Sequence, residues 1–295
     1  MPAYRFVTLD VFTDRRFGGN PLAVFPDASG LSDADMQSLA AEFNLSETTF
    51  VLPPGDPANT ARVRIFTPRS ELPFAGHPNV GTGWVLAQEG RDRDGVLRFE
   101  EIAGLVEVRV DRNAAGEPTG TTIAAPQPLS LGPEMPVKTV AELAGIAPAD
   151  VVAGAHRPVL ASVGNPFFIA EVTDEALTRA APDLGAFRRA VAERPQLEGR
   201  LSLHLYARGG ERIRARMFAP LAGIVEDPAT GSANAPLGAL LLSLTGAAEG
   251  HYEIAQGVEM GRPSLLRVTA RRAADGIRAT VGGGCVPVLR GEAQV

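Results

Sequence analysis

Three ionisable side chains have settings that could serve chemistry. Glu47 sits in NLSETTFV (44–51), where a strand begins, although strand starts disfavour glutamate and no obvious salt-bridge partner is nearby. Leu45, Phe50 and Val51 would desolvate its carboxyl and raise its pKa, as a general acid or base requires. The plainer reading of Glu47 is a solvated carboxylate at a turn. His77, before Pro78 in AGHPNVGTG (75–83), is either a satisfied structural histidine or a proton donor near its ordinary pKa of about 6.5. Asp227, before Pro228 in EDPATGSAN (226–234), suits the N-cap of the helix that follows. The HP and DP dipeptides also match in the two halves of the chain, which would make His77 and Asp227 an acid/base pair.

Each of these turns runs into a helix. Free amides around Asn79, Thr82 and Gly83 in one turn, and at Thr230, Gly231 and Ser232 in the other, sit at the positive end of a helix dipole and suit a carboxylate. The equally plain alternative is that the glycines let helix and strand pack closely. Both helices are apolar nearly all round (Val80, Trp84, Val85, Leu86; Leu237, Leu240, Leu241, Leu242) and must be enclosed by other structure. Strands are expected at 4–12 and 62–66, and a surface helix at 31–44 with Ser32 as N-cap and Asp35 three residues on.

The chain repeats itself. GGNPLAVF (18–25) returns as VGNPFFIA (163–170), RVRIFTP (62–68) as RARMFAP (214–220), the helix-start turns as above, and EIAGLVEVRV (101–110) as EIAQGVEMGR (253–262). The order is conserved within the chain, which chance rarely produces. Two copies of one α/β unit are expected, at 1–125 and 126–284, with the last strand near 285–295 packing back onto the first copy. The site is expected in the cleft between them.

Composition removes other classes. A net charge of −6 with no basic stripe argues against nucleic acid or anionic membrane as partner. The most apolar stretch, 235–248, is too short to span a bilayer and reads as a buried helix. The N-terminus does not read as a signal peptide, and one cysteine, Cys285, makes no internal disulfide, so the cytoplasm is the expected compartment. Lys138, the only lysine, falls in a loop-like stretch unsuited to a Schiff base, and the four histidines form no metal-ligand pattern. GTG (81–83) lacks the third glycine of a dinucleotide fingerprint, and Gly282–Gly284 reads as a crowded turn or bulge.

NLSETTFVL, RIFTPRSELPFAGHPNVGTG, RMFAPLAGIVEDPATGSANAPLG and QGVEMGRPSLL, in this order, closely resemble the PhzF family of phenazine-biosynthesis isomerases. The resemblance implies the diaminopimelate epimerase-like fold, two pseudo-symmetric α/β domains each with a barrel-like sheet around a central helix, and a homodimer. It implies that Glu47 is the catalytic glutamate and that Ser46, Gly76, His77, Asp227, Gly231 and Ser232 line the pocket, with no cofactor or metal. Related epimerases use one cysteine from each domain; the corresponding turns here carry none, so two-thiol racemisation does not operate.

The expected function is therefore cofactor-independent isomerisation, moving a proton on a small carboxylate-bearing substrate of the dihydro-hydroxyanthranilate kind. Glu47 would be the acid/base, His77 and Asp227 would assist, and the helix-start amides would bind the carboxylate. Two other readings stand beside it: a racemase using Glu47 and Asp227 as two bases, and a binding protein for small acids that does no chemistry.

Overall fold

The computed structural model describes residues 2–210 and 212–295. The chain divides into two compact units, one of residues 1–124 and 282–295, the other of residues 125–281.

In the first unit the elements are β1 (Ala3–Val11), β2 (Asn20–Phe25), α1 (Asp33–Phe43), β3 (Glu47–Leu52), β4 (Ala61–Phe66), β5 (Glu71–Leu72), α2 (Gly76–Gln88), β6 (Val96–Glu101), β7 (Gly104–Arg112) and β8 (Pro118–Ala124). The second holds β9 (Ser130–Glu134), α3 (Val137–Ala144), β10 (Val159–Ser162), β11 (Pro166–Glu171), α4 (Asp174–Arg179), α5 (Leu184–Ala192), β12 (Leu203–Ala207), β13 (Ile213–Ala219), β14 (Ile224–Asp227), α6 (Gly231–Ser243), β15 (Glu249–Gln256) and β16 (Ser264–Ala273). The final strand, β17 (Gly276–Gln294), begins in the second unit and ends in the first.

The first sheet closes on itself. β1 pairs with β2, β2 runs parallel to β3, and β3 pairs antiparallel with β4. β4 runs parallel to β6, then β7 and β8 follow antiparallel. β17 pairs with β8 and returns to β1, with Ala3 opposite Gln294 and Val11 opposite Cys285. Closure removes the open edges that an eight-strand sheet would otherwise present. α2 fills the barrel, packed on β1, β2, β3, β7 and β8, and its residues from Gly76 to Ala87 are all buried. Outside, α1 covers a patch of Phe25, Phe50, Phe66, Met36 and Ala40, with Phe25 stacked on Phe50 at 4.9 Å. The capping box of Ser32 and Asp35 starts α1 as expected.

The second unit repeats this plan. β11 and β12 run parallel, as do β13 and β15, whereas β10 with β11, β12 with β13 and β15 with β16 are antiparallel. Ala125 and Leu129 donate to the carbonyls of Ala279 and Ile277, tying the approach to β9 onto β17. α6 is the enclosed helix, against β10, β11, β15 and β16. α3, α4 and α5 cover the outer face through Leu143, Leu177, Phe187, Phe168, Leu205 and Phe218.

Three local expectations are corrected. The apolar stretch 235–248 is helical only to Ser243, because the chain then turns to enter β15 at Glu249. Lys138 belongs to α3 rather than a loop, since Pro136 fixes its own φ at −57° and caps that helix start. Gly282–Gly284 lies within β17, not in a turn; a Cβ on Gly282 would sit 2.6 Å from the Thr121 carbonyl, so the triplet permits close approach to β8.

Matched glycines set how deeply each helix sinks. A Cβ on Gly83 would lie 2.6 Å from Val108 Cγ1, and one on Gly238 would lie 2.5 Å from Val268 Cγ1. Both valines are buried and stiff at χ1, so neither yields easily. Gly238→Ala should therefore destabilise by about 1–3 kcal/mol, although alanine favours a helix by about 1 kcal/mol. Urea unfolding checks this; a variant as stable as the parent would show that α6 can lift from β16 at no cost.

Candidate active site

Strand alternation decides which way Glu47 points. Glu47, Thr49 and Val51 share one face of β3, and Thr49 Oγ1 meets Thr82 Oγ1 of α2 at 2.8 Å, so that face is the barrel interior. Phe50 faces outward into the α1 patch. Val51 shares the face of Glu47; Phe50, expected to desolvate it, does not, because a one-residue step along a strand reverses the side chain.

Glu47 Oε2 lies 3.5 Å from His77 Nε2, with the two side chains 14% and 7% exposed. His77 is the second residue of α2, immediately after Gly76. Burial pushes its pKa down to about 3, although its hydrogen bond to the Pro21 backbone acts the other way. The expected proton donor near 6.5 is thus corrected to a neutral imidazole. Nε2 makes no hydrogen bond, so the Pro21 carbonyl receives the ring's one proton from Nδ1. Nε2 then presents a lone pair to Glu47. A carboxyl group beside a neutral nitrogen base is an arrangement that can hold a proton or release it.

Two further residues support this pair. Ser46 Oγ donates to Asn20 Oδ1 at 3.1 Å, and Asn20, the first residue of β2, is fully buried. Asn20 went unremarked in the sequence reading, although the recurrence of GNP was the available signal. The free amides of α2 are those of Gly76 and His77, since Pro78 has no N–H and residues from Asn79 onward can bond within the helix. The expected amides around Asn79 to Gly83 are therefore not the available ones. Asn79 and Thr82, expected to contact substrate, are both fully buried: Asn79 Nδ2 donates to the Ala75 carbonyl at 3.0 Å, and Thr82 bonds Thr49.

The second unit gathers Asp227, Thr230, Gly231 and Ser232. Asp227 ends β14 and is 8% exposed. It does not cap α6, because Thr230 occupies the N-cap and its hydroxyl donates to Asp227 Oδ2. The Thr230 N–H donates to Gln256 Oε1 at 3.1 Å, so that amide, expected to be open to a ligand, is already engaged. Gln256 Nε2 donates to the Asp227 carbonyl at 2.8 Å and to Thr230 Oγ1 at 3.0 Å. Asn234 Nδ2 donates to the Thr230 carbonyl and to Gln256 Oε1, and Asn234 Oδ1 faces His204 Nε2 at 3.1 Å. Burial lowers the His204 pKa to about 4, so it too is neutral. Gly231 and Ser232 open α6, with Ser232 half-buried. Gln256 and His204 were missed because a lone polar residue in a strand gives no pattern.

The pairing of His77 with Asp227 as counterparts is also corrected. Leu72 lies opposite Ile65, and Asp227 lies opposite Met217, the counterpart of Ile65 in RVRIF and RARMF. Asp227 therefore corresponds to Leu72, and His77 to Ser232, each second in its helix. The HP and DP likeness is a coincidence of dipeptides. Among the described residues no cluster of three His, Cys, Asp or Glu side chains could hold a metal, and no helix is long and apolar enough to cross a membrane.

Comparison with known proteins matches residues 9–291 to the PhzC-PhzF family, described as phenazine biosynthesis-like protein. A trans-2,3-dihydro-3-hydroxyanthranilate isomerase of Pseudomonas aeruginosa is 37% identical over 280 residues, covering 94% of either chain. An uncharacterized isomerase of Mesorhizobium japonicum is 36% identical, covering 99% of either chain. Among solved structures, a PhzF-family phenazine biosynthesis protein of Bacillus anthracis superposes with a TM-score of 0.88 over the whole of both chains at 24% identity. The fold is thus the diaminopimelate epimerase-like one expected from the sequence motifs.

Proposed function

The chain belongs to the PhzC-PhzF family of phenazine biosynthesis-like proteins and is an isomerase, and on that premise we propose that Glu47 is the group that moves the proton. The observation that carries the reading is the contact of Glu47 Oε2 with the bare Nε2 of a neutral His77. As carboxylate, Glu47 takes a proton from carbon; as acid, it returns the proton to another carbon of the same substrate. His77 gives the acid form a place to rest its proton between the two events. Ser46, Gly76 and the first amides of α2 bind polar groups of the substrate. Asp227, Gly231 and Ser232 form a second polar station. The substrate is a small carboxylic acid of the dihydro-hydroxyanthranilate kind, and the reaction needs no cofactor.

The test is proton NMR in D₂O with trans-2,3-dihydro-3-hydroxyanthranilate. The expected result is conversion with deuterium entering at one carbon, since a proton held by the Glu47 carboxyl exchanges with solvent between steps. Exchange of an α-proton from both faces would instead support racemisation with Asp227 as the second base. No conversion by folded protein would reject this substrate.

A further inference from the structure

The pairing registers identify a counterpart for Gln256. β4 sets Arg62 opposite Glu100 on β6, and β13 sets Arg214 opposite Ala255 on β15. Arg62 and Arg214 are the same position of the repeated RVRIF and RARMF, so Glu100 matches Ala255 and Glu101 matches Gln256; this corrects the alignment of EIAGLVEVRV with EIAQGVEMGR, which would set Glu101 against Glu253. Asn79 and Asn234 also match: each is the fourth residue of its helix, and each bonds the carbonyl of its N-cap residue, Ala75 or Thr230.

The two positions differ in one respect. Around Gln256 an amide nitrogen donates and an amide oxygen accepts, and Asn234 is fully engaged. Around Glu101 both carboxyl oxygens are buried and neither closes a hydrogen bond of standard geometry, and Asn79 Oδ1 is buried without a partner as well. Asn79, whose Nδ2 also donates to the Ala75 carbonyl at 3.0 Å, is the hydrogen-bonding neighbour of Glu101, as Asn234 is of Gln256. A carboxylate here would bury a full charge with only the Asn79 amide to meet it, where the matching position of the second unit holds a neutral side chain. A carboxylic acid avoids that charge and, like the Gln256 amide, offers both an acceptor and a donor.

We propose that Glu101 is a positioning residue: as an uncharged carboxylic acid it takes the place of the Gln256 amide in the first unit, and through Asn79 it holds the turn that carries Gly76 and His77. Neither Ala75 nor Thr230 caps its helix with a side-chain hydrogen bond, and in the first unit Asn79 and Glu101 are the polar groups that brace the helix start. Its role in turnover rests on the reading of His77 given above; its protonation does not.

Burial raises the Glu101 pKa to about 8, against a smaller lowering by Asn79. The charged groups on surrounding elements do not change this. Arg64 on β4 binds Glu71 on β5 and Asp33 on α1; Arg62 acts on Glu100; Glu107 on β7 pairs with Arg98. His77 on α2 is neutral and faces Glu47 on β3.

The experiment is a pH titration from 4 to 10 of protein labelled with ¹³C at the glutamate carboxyls, comparing the parent, Glu101→Gln and Glu101→Ala. One carboxyl resonance should titrate near 8 in the parent and be missing from Glu101→Gln. The His77 ring resonances should move with the same midpoint in the parent and stay fixed in Glu101→Gln, which carries a permanent amide. Turnover of the parent should fall several-fold above that pH through kcat with little change in KM, while Glu101→Gln holds its rate. A Glu101 carboxyl titrating in the ordinary range, or His77 resonances indifferent to it, would overturn the proposal. Should Glu101→Ala fail to fold, the parent and the glutamine variant decide alone. The NMR arms need no turnover, so an inactive parent would count against the proposed reaction and not against Glu101.

Discussion

Glu47→Gln should lose turnover by on the order of 10²–10⁴-fold while binding a substrate-like acid almost as tightly as the parent. Glutamine has the shape of glutamate, and β3 keeps it facing α2, so the pocket is unchanged. What it lacks is a proton that can leave and return. His77 cannot substitute, because an imidazole with a pKa of about 3 is a weak base and its N–H is committed to Pro21. Titration calorimetry with an inert analogue separates binding from chemistry. If Glu47→Gln turned over at the parental rate, the proton would be moved by another group, and Asp227 would be the first to examine.

The second large effect is on stability, which should peak near pH 6.5 and fall to either side. His77 and His204 have folded pKa values of about 3 and about 4, below the ordinary 6.5. Below 6.5 the unfolded chain therefore takes up two protons that the folded chain refuses, and acid favours unfolding. Glu101 acts in the opposite sense: its folded pKa of about 8 exceeds the ordinary 4.5, so between these values the folded chain holds a proton the unfolded chain has lost. Its contribution is complete below 4.5 and declines as pH rises to about 8. Between 4.5 and 6.5 two histidines oppose one glutamate, so acidification should cost about 1.4 kcal/mol per pH unit. Between 6.5 and 8 Glu101 acts alone, and raising the pH should cost about the same per unit. Carboxylates held low by hydrogen bonds, such as Asp35 and Asp150, act below this window. Urea unfolding at half-unit pH steps measures the profile. Glu101→Gln should flatten the alkaline side and steepen the acid side to about 2.7 kcal/mol per unit; a flat profile in the parent would mean these groups titrate normally in the fold.

Much of this is legible in the sequence because it depends on repetition or on local rule-breaking. The duplicated RVRIF and RARMF blocks mark matching strands, and helices apolar on every face announce that something must surround them. Glu47 is conspicuous because a carboxylate at a strand start needs a reason. Other features depend on facts that no local pattern carries. His77 looks like any histidine before a proline, and only enclosure by a barrel drives its proton off. Asp227 and His77 look like partners because both precede proline, whereas the ladders place Leu72 and Ser232 at those positions. Gln256 and Glu101 each close a strand, and their correspondence emerges only from which residues lie opposite in β4 and β13.

The last strand has a consequence for how the protein is made. The first barrel lacks its closing strand until residues 282–294 are synthesised, after the whole of residues 125–281. At ~5–20 residues per second, a ribosome needs roughly 8–30 s to cross that interval. Throughout it, β1 and β8 present bare edges in the growing chain, and α2 has an incomplete wall. The contiguous second unit has no such wait for its body. A nascent chain thus carries its glutamate and histidine in an open sheet for seconds, the period in which edge pairing with another chain, and the help of chaperones, matter most.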